Sequence, residues 1–412
     1  MQAATLGDRS RDVRVMGVVG LCHFFSHFYQ LALPPLFVLI HQTEGYSYES
    51  LALLITVLYA TSFALQIPVG FFVDKYGARP ILMAGVALLS GATVLYGVIP
   101  GYPALVILSV VAGAANSVFH PADYSILNAS VTKARLGRAF SVHNFGGFVG
   151  YAVAPVLMSG MGAIWGWKTA VIAAGAAGLI TVIAAVALSG DFRDSSHTRR
   201  DAPERPGFKA DIKLLFSAPA LLCLMFFAFL AAGQMGPQWF ADKAYYLAHN
   251  VPVLLGNSYI SMFVVGIIVG VIVGGIVADK ARDHLKLAFC SFFLSGVGMI
   301  LMALAPPVSI LVYPLFVVTG FMFGFGFSSR DMVVSSLAPP ESSGKVFGFV
   351  FSGLDIGAAG SPIVYGYMIG AGLPLELFYL SGLLIILAGV SVVIAGRSAA
   401  ARSNATNRDA TT

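Results

Sequence analysis

Apolar runs of about 20 residues recur along nearly the whole chain, each long enough to cross a hydrocarbon layer of ~30 Å as a helix. Nothing else in the sequence narrows the fold as far. Charged residues make up only 10% of the 412 positions and hydrophobic ones 58%, whereas a soluble domain carries about 25% charged residues. Water is therefore not the main environment of this chain. Twelve spans are expected, at 15–40, 51–73, 80–99, 104–128, 138–161, 167–189, 215–240, 254–278, 285–305, 308–330, 345–369 and 375–396.

The charge distribution orients these spans. The formal net charge is +5. With both termini inside, every Lys and Arg except Lys168, Lys243 and Arg330 falls on a cytoplasmic segment, as the positive-inside rule requires. The basic balance thus reflects topology and implies no nucleic-acid partner. A polar head with Arg9, Arg11 and Arg14 precedes the first span; it is read as a retained helix, not a cleaved signal. Cys22, Cys223 and Cys290 sit in apolar runs without metal or disulfide spacing. Trp165, Trp167 and Trp239 are expected at the outer interface.

The stretch 190–214 breaks the pattern with clustered charge and two prolines. It divides a cytoplasmic N-terminus (1–14) and N-terminal six-helix bundle (15–189) from a C-terminal six-helix bundle (215–396) and cytoplasmic tail (397–412). The halves echo each other. Gly275, Asp279 and Lys280 stand 205 residues after Gly70, Asp74 and Lys75, with Arg282 where Gly77 would fall. Gly344, Lys345, Phe347, Gly353, Gly357 and Pro362 stand 207 residues after Gly137, Arg138, Phe140, Gly146, Gly150 and Pro155. A near-constant offset indicates duplication of a six-helix unit, as in transporters whose halves rock around a midplane site.

Ionisable residues at membrane depth mark the candidate site, because each costs roughly 2.5–3.5 kcal/mol at a helix centre and needs a polar cavity or relay. His23 and His27 lie four apart on one face of the first helix. His120 and Asp123 lie three apart on the fourth, beside Pro121, and His143 on the fifth is expected to approach them. Histidine titrates near neutrality, about 6.5 unperturbed, which suits a proton carrier. In the second half, Gln234 accompanies a Gly233/Gly236/Pro237 break expected to make helix 7 discontinuous. Arg330 and Asp331 end helix 10, and Asp355 lies in helix 11. Adjacent side chains diverge by about 100° on a helix, so Arg330 is expected to face Asp355 or an anionic substrate and not Asp331. The histidines and Asp123 also leave divalent-metal transport open, although only His23 and His27 have chelating spacing, so no dedicated metal site is assigned.

The turn GFFVDKYGARP, with Gly70, Asp74, Lys75, Gly77 and Arg79, resembles the loop signature of the major facilitator superfamily. That likeness implies a cytoplasmic gating latch at these residues, at the repeated Gly275, Asp279 and Lys280, and at Asp331. Within the superfamily, SVFHPA at 117–122 followed by Gly137, Ala139, Ser141, Gly147 and Pro155 resembles the fosmidomycin-resistance branch. Membership there implies proton-coupled drug export.

The resulting expectation is an all-α membrane protein of twelve transmembrane helices in two pseudo-symmetric six-helix bundles. It would be a secondary active transporter moving a small organic compound, an anion or drug-like molecule, by alternating access coupled to protons, in the export direction. Uptake of a small carboxylate, or divalent metal transport through the His/Asp cluster, are the alternatives. The chain shows no nucleophile elbow, phosphate loop or paired-carboxylate motif, so no enzymatic activity and no cofactor are expected. The expected partners are the substrate, protons and the lipid bilayer, with a monomer in a bacterial inner membrane.

Overall fold

The computed structural model describes residues 6–193, 208–305, 311–338 and 342–409. Most of the expected linker, 194–207, lies outside the described residues. Two compact units are present: Met1–Pro203 with Pro339–Gly348, and Glu204–Ala338 with Phe349–Thr412.

The first unit is built from α1 (Leu6–Gln30), α2 (Phe37–Glu44), α3 (Tyr48–Tyr76), α4 (Ala78–Val98), α5 (Tyr102–Asn116), α6 (Phe119–Ser130) and α7 (Leu136–Leu188). Pro34 and Pro35 remove two backbone donors and reduce the chain after α1 to one 3₁₀ turn before α2. The α3–α4 corner turns at Gly77, whose φ of 95° is a region that L side chains avoid. α5 and α6 form one span, Tyr102–Ser130, interrupted at Ser117–Val118. α7 runs for 53 residues but turns at Gly166 (φ 78°, ψ 160°). Among the described residues, eleven helical runs are long and apolar enough to span a membrane. With the break at Gly166, these make the expected twelve helices.

The second unit holds α8 (Phe208–Leu215), α9 (Ala218–His249), α10 (Val253–Ala278), α11 (His284–Leu304), α12 (Val312–Phe325), α13 (Phe327–Leu337), α14 (Ser343–Gly370) and α15 (Glu376–Asp409), the first residues of α14 being grouped with the first unit. The α12/α13 break at Gly326 repeats the α5/α6 break in the other half. Gly266, Gly270 and Gly274 lie against the α12 backbone at Val317, Phe321 and Phe325. Small residues let two lipid-embedded helices approach closely enough for dispersion to hold them. Large apolar side chains point outward instead: Val156, Ile164 and Ile363 are all about three-quarters exposed.

Two sequence expectations change here. α9 continues through Pro237 as a single helix, because a proline forfeits one ladder bond that neighbouring groups in a bundle can replace. Trp167 is buried, its Nε1 donating to Glu44 Oε1 at 3.3 Å, and is not an interfacial anchor.

Candidate substrate and proton site

The polar residues of the first unit converge. On α1, His23, Ser26, His27 and Gln30 recur at helical spacing and share a face. α6 brings His120 and Asp123, and α7 brings His143. His23 Nδ1 lies 3.1 Å and His143 Nε2 3.2 Å from the same oxygen, Asp123 Oδ2. Asp123 is fully buried, and its Oδ1 has no hydrogen-bond partner among the described residues. The His23 and His143 rings stack with centroids 3.6 Å apart. His27 and His120 complete the group, 4.5 Å and 5.4 Å from His23 between centroids. The carboxylate that spacing pairs with His120 thus engages His23 and His143, while His120 Nδ1 meets the Gln66 amide at 3.4 Å. Residues three apart share a helix face, but the ring nearest the carboxylate is chosen by the neighbouring helices.

Reading residues singly misses the network beside this cluster. Asn116 Oδ1 accepts from Ser26 Oγ and Gln30 Nε2, both at 3.0 Å, and Asn116 Nδ2 donates to Ser62 Oγ at 3.0 Å. Gln30 Oε1 accepts from the Tyr59 and Tyr151 hydroxyls. The available signal is one amide or hydroxyl in each of several otherwise apolar runs, Gln66 and Asn116 above all.

The corner motif is also assembled in this unit. Asp74 Oδ1 accepts from Gly344 N at 2.8 Å and Oδ2 from Lys345 N at 3.1 Å, so the carboxylate caps the first turn of α14. A Cβ at Gly70 would stand 2.5 Å from Gly344 O. Arg79 Nε donates to Ser189 Oγ at 2.9 Å, and Lys75 lies over the Tyr76 ring. Nearby, Asp12 Oδ2 accepts from Thr132 Oγ1 at 2.7 Å and Arg135 Nη1 at 2.9 Å.

In the second unit, Arg330 Nε donates to Asp331 Oδ1 at 3.0 Å. This corrects the expectation that adjacent residues diverge. The 100° rule fixes Cβ directions, and the long arginine stem curls back across that angle. Phe327, Phe227 and Phe226 surround the guanidinium, with ring centroids 4.2, 4.8 and 5.7 Å from Cζ. Asp355 Oδ2 has no hydrogen-bond partner among the described residues. Gln234 Nε2 donates to Gln238 Oε1 at 3.1 Å, one turn along α9. Gly275 lies in the last turn of α10, and Asp279 and Lys280 follow its end, where Gly275 O accepts from Asp279 N at 3.3 Å.

The profile of the Major Facilitator Superfamily matches residues 19–281 and 243–411, which together cover most of the chain. The chain belongs to the Major Facilitator Superfamily. This superfamily member is accordingly a multi-pass membrane transporter, in a family of transporters and not of enzymes. It is 23% identical over 360 residues to the fosmidomycin resistance protein of Escherichia coli (strain K12), covering 84% of each chain. Among solved structures, the Escherichia coli fucose:proton symporter FucP superposes with a TM-score of 0.72 at 12% identity, over 93% of this chain and 99% of that one. The proton:xylose symporter XylE gives 0.73 at 12% identity, over 93% and 95%. These two likenesses establish the major facilitator fold.

Proposed function

We propose that this transporter exports a small organic compound, an anion or a drug-like molecule, across a bacterial inner membrane in exchange for protons, with both termini cytoplasmic. The observation that carries the reading is the buried Asp123, with two imidazoles on one carboxylate oxygen and the other oxygen unpartnered. Such a group is expensive at membrane depth, and it can take up and release a proton when its surroundings change. His23 and His143 hold the carboxylate and hand the proton on, while His27, His120 and the Asn116–Gln30 network contact the substrate. Asp74, set against the first turn of α14, works as a latch whose release accompanies each cycle, in line with the corner motif. In the second unit, Asp331 orients Arg330, and Gln234 and Asp355 are that unit's further candidate polar groups. The likeness to a fosmidomycin resistance protein favours the export direction.

The test is reconstitution into liposomes containing a pH dye, with organic anions and cationic drugs added one at a time. Proton movement triggered by one of these compounds supports the reading. Substrate flux with no proton movement at any imposed pH gradient would refute the coupling.

A further inference from the structure

Spacing alone offers only His23 and His27 as a chelating pair, but folding adds a third ring. We propose that the first unit binds one divalent transition-metal ion of the Zn(II) class, ligated by His23, His27 and His120. One ligand nitrogen from each ring lies within 4.8 Å of the other two. Zn–N bonds of ~2.0–2.1 Å in a tetrahedron separate neighbouring nitrogens by about 3.4 Å. The set therefore closes on an ion with ring movements on the order of 1 Å.

The surroundings of the three rings supply the second line of argument. A metal-bound imidazole characteristically gives its other N–H to a carboxylate, which fixes its tautomer and raises its basicity. His23 has that arrangement: Nδ1 is 3.1 Å from Asp123 Oδ2, which leaves Nε2 to face an ion. Gln66 Nε2 lies 3.4 Å from His120 Nδ1, and a half-turn of the amide, whose two ends are near-isosteric, would set its oxygen there to accept from Nδ1–H of a metal-bound ring. His27 Nδ1 is buried without a hydrogen-bond partner among the described residues. Gly147 keeps room for the pair, since a Cβ there would come within 2.9 Å of His27 Nδ1 and 3.0 Å of His23 Cδ2.

His23, Asp123 and His143 also lie within 4.8 Å of one another. In that group the His23 and His143 nitrogens facing the carboxylate already bond Asp123 Oδ2, so an ion seated between these nitrogens and Asp123 would displace both contacts; the three-histidine set displaces neither. Neutral imidazoles suit Zn, Cu or Ni, and hard Mg or Ca ions prefer oxygen ligands. The adjacent Asp123 carboxylate offsets part of the ion's charge. The proposal does not depend on proton coupling, because binding is read without transport.

The experiment uses the full chain in detergent, without an affinity tag, stripped with chelator and dialysed against micromolar Zn(II). Bound metal is counted by mass spectrometry, and Co(II) absorption reports the ligand geometry. One equivalent in the wild type is expected, with affinity reduced at least tenfold in His27→Ala and in His120→Ala. His41→Ala, on α2 with its ring against Tyr46 O in the following loop, should bind as the wild type does. Melting curves without metal check that each variant folds, and His27→Gln serves if His27→Ala does not. A wild type that retains no Zn(II), or variants that retain the full equivalent, would overturn the proposal.

Discussion

The imidazoles of His23 and His143 stack 3.6 Å apart and both reach the same oxygen of Asp123. Two imidazolium rings at that separation would repel strongly in a low-dielectric interior. In the proposed cycle the trio would therefore carry no more than one cationic ring at a time. Residues 120 positions apart on α1 and α7 thus meet on one carboxylate of α6.

His143→Ala removes one of the two rings on Asp123 and should lower proton-coupled transport at least tenfold. His120→Ala spares both contacts and should raise the apparent KM for substrate with a smaller effect on maximal rate. Initial rates measured over a range of external pH separate the two, since only His143→Ala should shift the pH profile.

Gly70→Val should destabilise the protein by about 1–3 kcal/mol, the usual range for overpacking, because Gly70 faces Gly344 O with no room for a side chain. Asp74→Ala should cost about 0.5–2 kcal/mol through loss of the α14 cap. Thermal melts in detergent measure both. In a double mutant the losses should fall short of additive, since Gly70 and Asp74 address the same turn.

Arg330→Met leaves the Asp331 charge buried and should destabilise by roughly 3–5 kcal/mol. Arg330→Met with Asp331→Leu removes both charges from the phenylalanine cage and should recover much of that loss. Melting temperatures of the two variants provide the comparison. A double variant no more stable than the single would mean that the pair is not what holds α13.

Asn116→Ala strips partners from Ser26, Gln30 and Ser62 together and should cost more than Tyr151→Phe. After the latter change Gln30 Oε1 still accepts from Tyr59. At about 1–3 kcal/mol for each buried group left unsatisfied, the difference is readable by thermal melts.

The fold was more legible in the sequence than the site. Span positions follow from apolar length, and the repeat shows in glycines and charges at constant offset, because helix packing and corners need particular residues at particular places. The continuity of α9 through Pro237 was not legible, since neighbouring helices decide how much a breaker breaks. The histidines could be named as a group, but the choice of His23 and His143 by Asp123 depends on where three helices meet. Arg330 and Asp331 were misjudged because a helical wheel describes where a side chain begins, not where a long one ends. The α14 turn capped by Asp74 lies 270 residues along the chain, and no local pattern names such a partner. Asn116 and Gln30 went unread as a pair because an isolated amide in an apolar run carries little signal until its neighbours are known.

The most direct measurement compares wild type with Asp123→Asn in the same liposomes, once a substrate is in hand. Asparagine keeps the shape and an acceptor oxygen but cannot exchange a proton. Substrate counterflow without a pH gradient should persist in Asp123→Asn, while accumulation driven by a pH gradient should disappear. Gradient-driven accumulation at the wild-type level in Asp123→Asn would contradict a proton-carrying role for the His23–Asp123–His143 group.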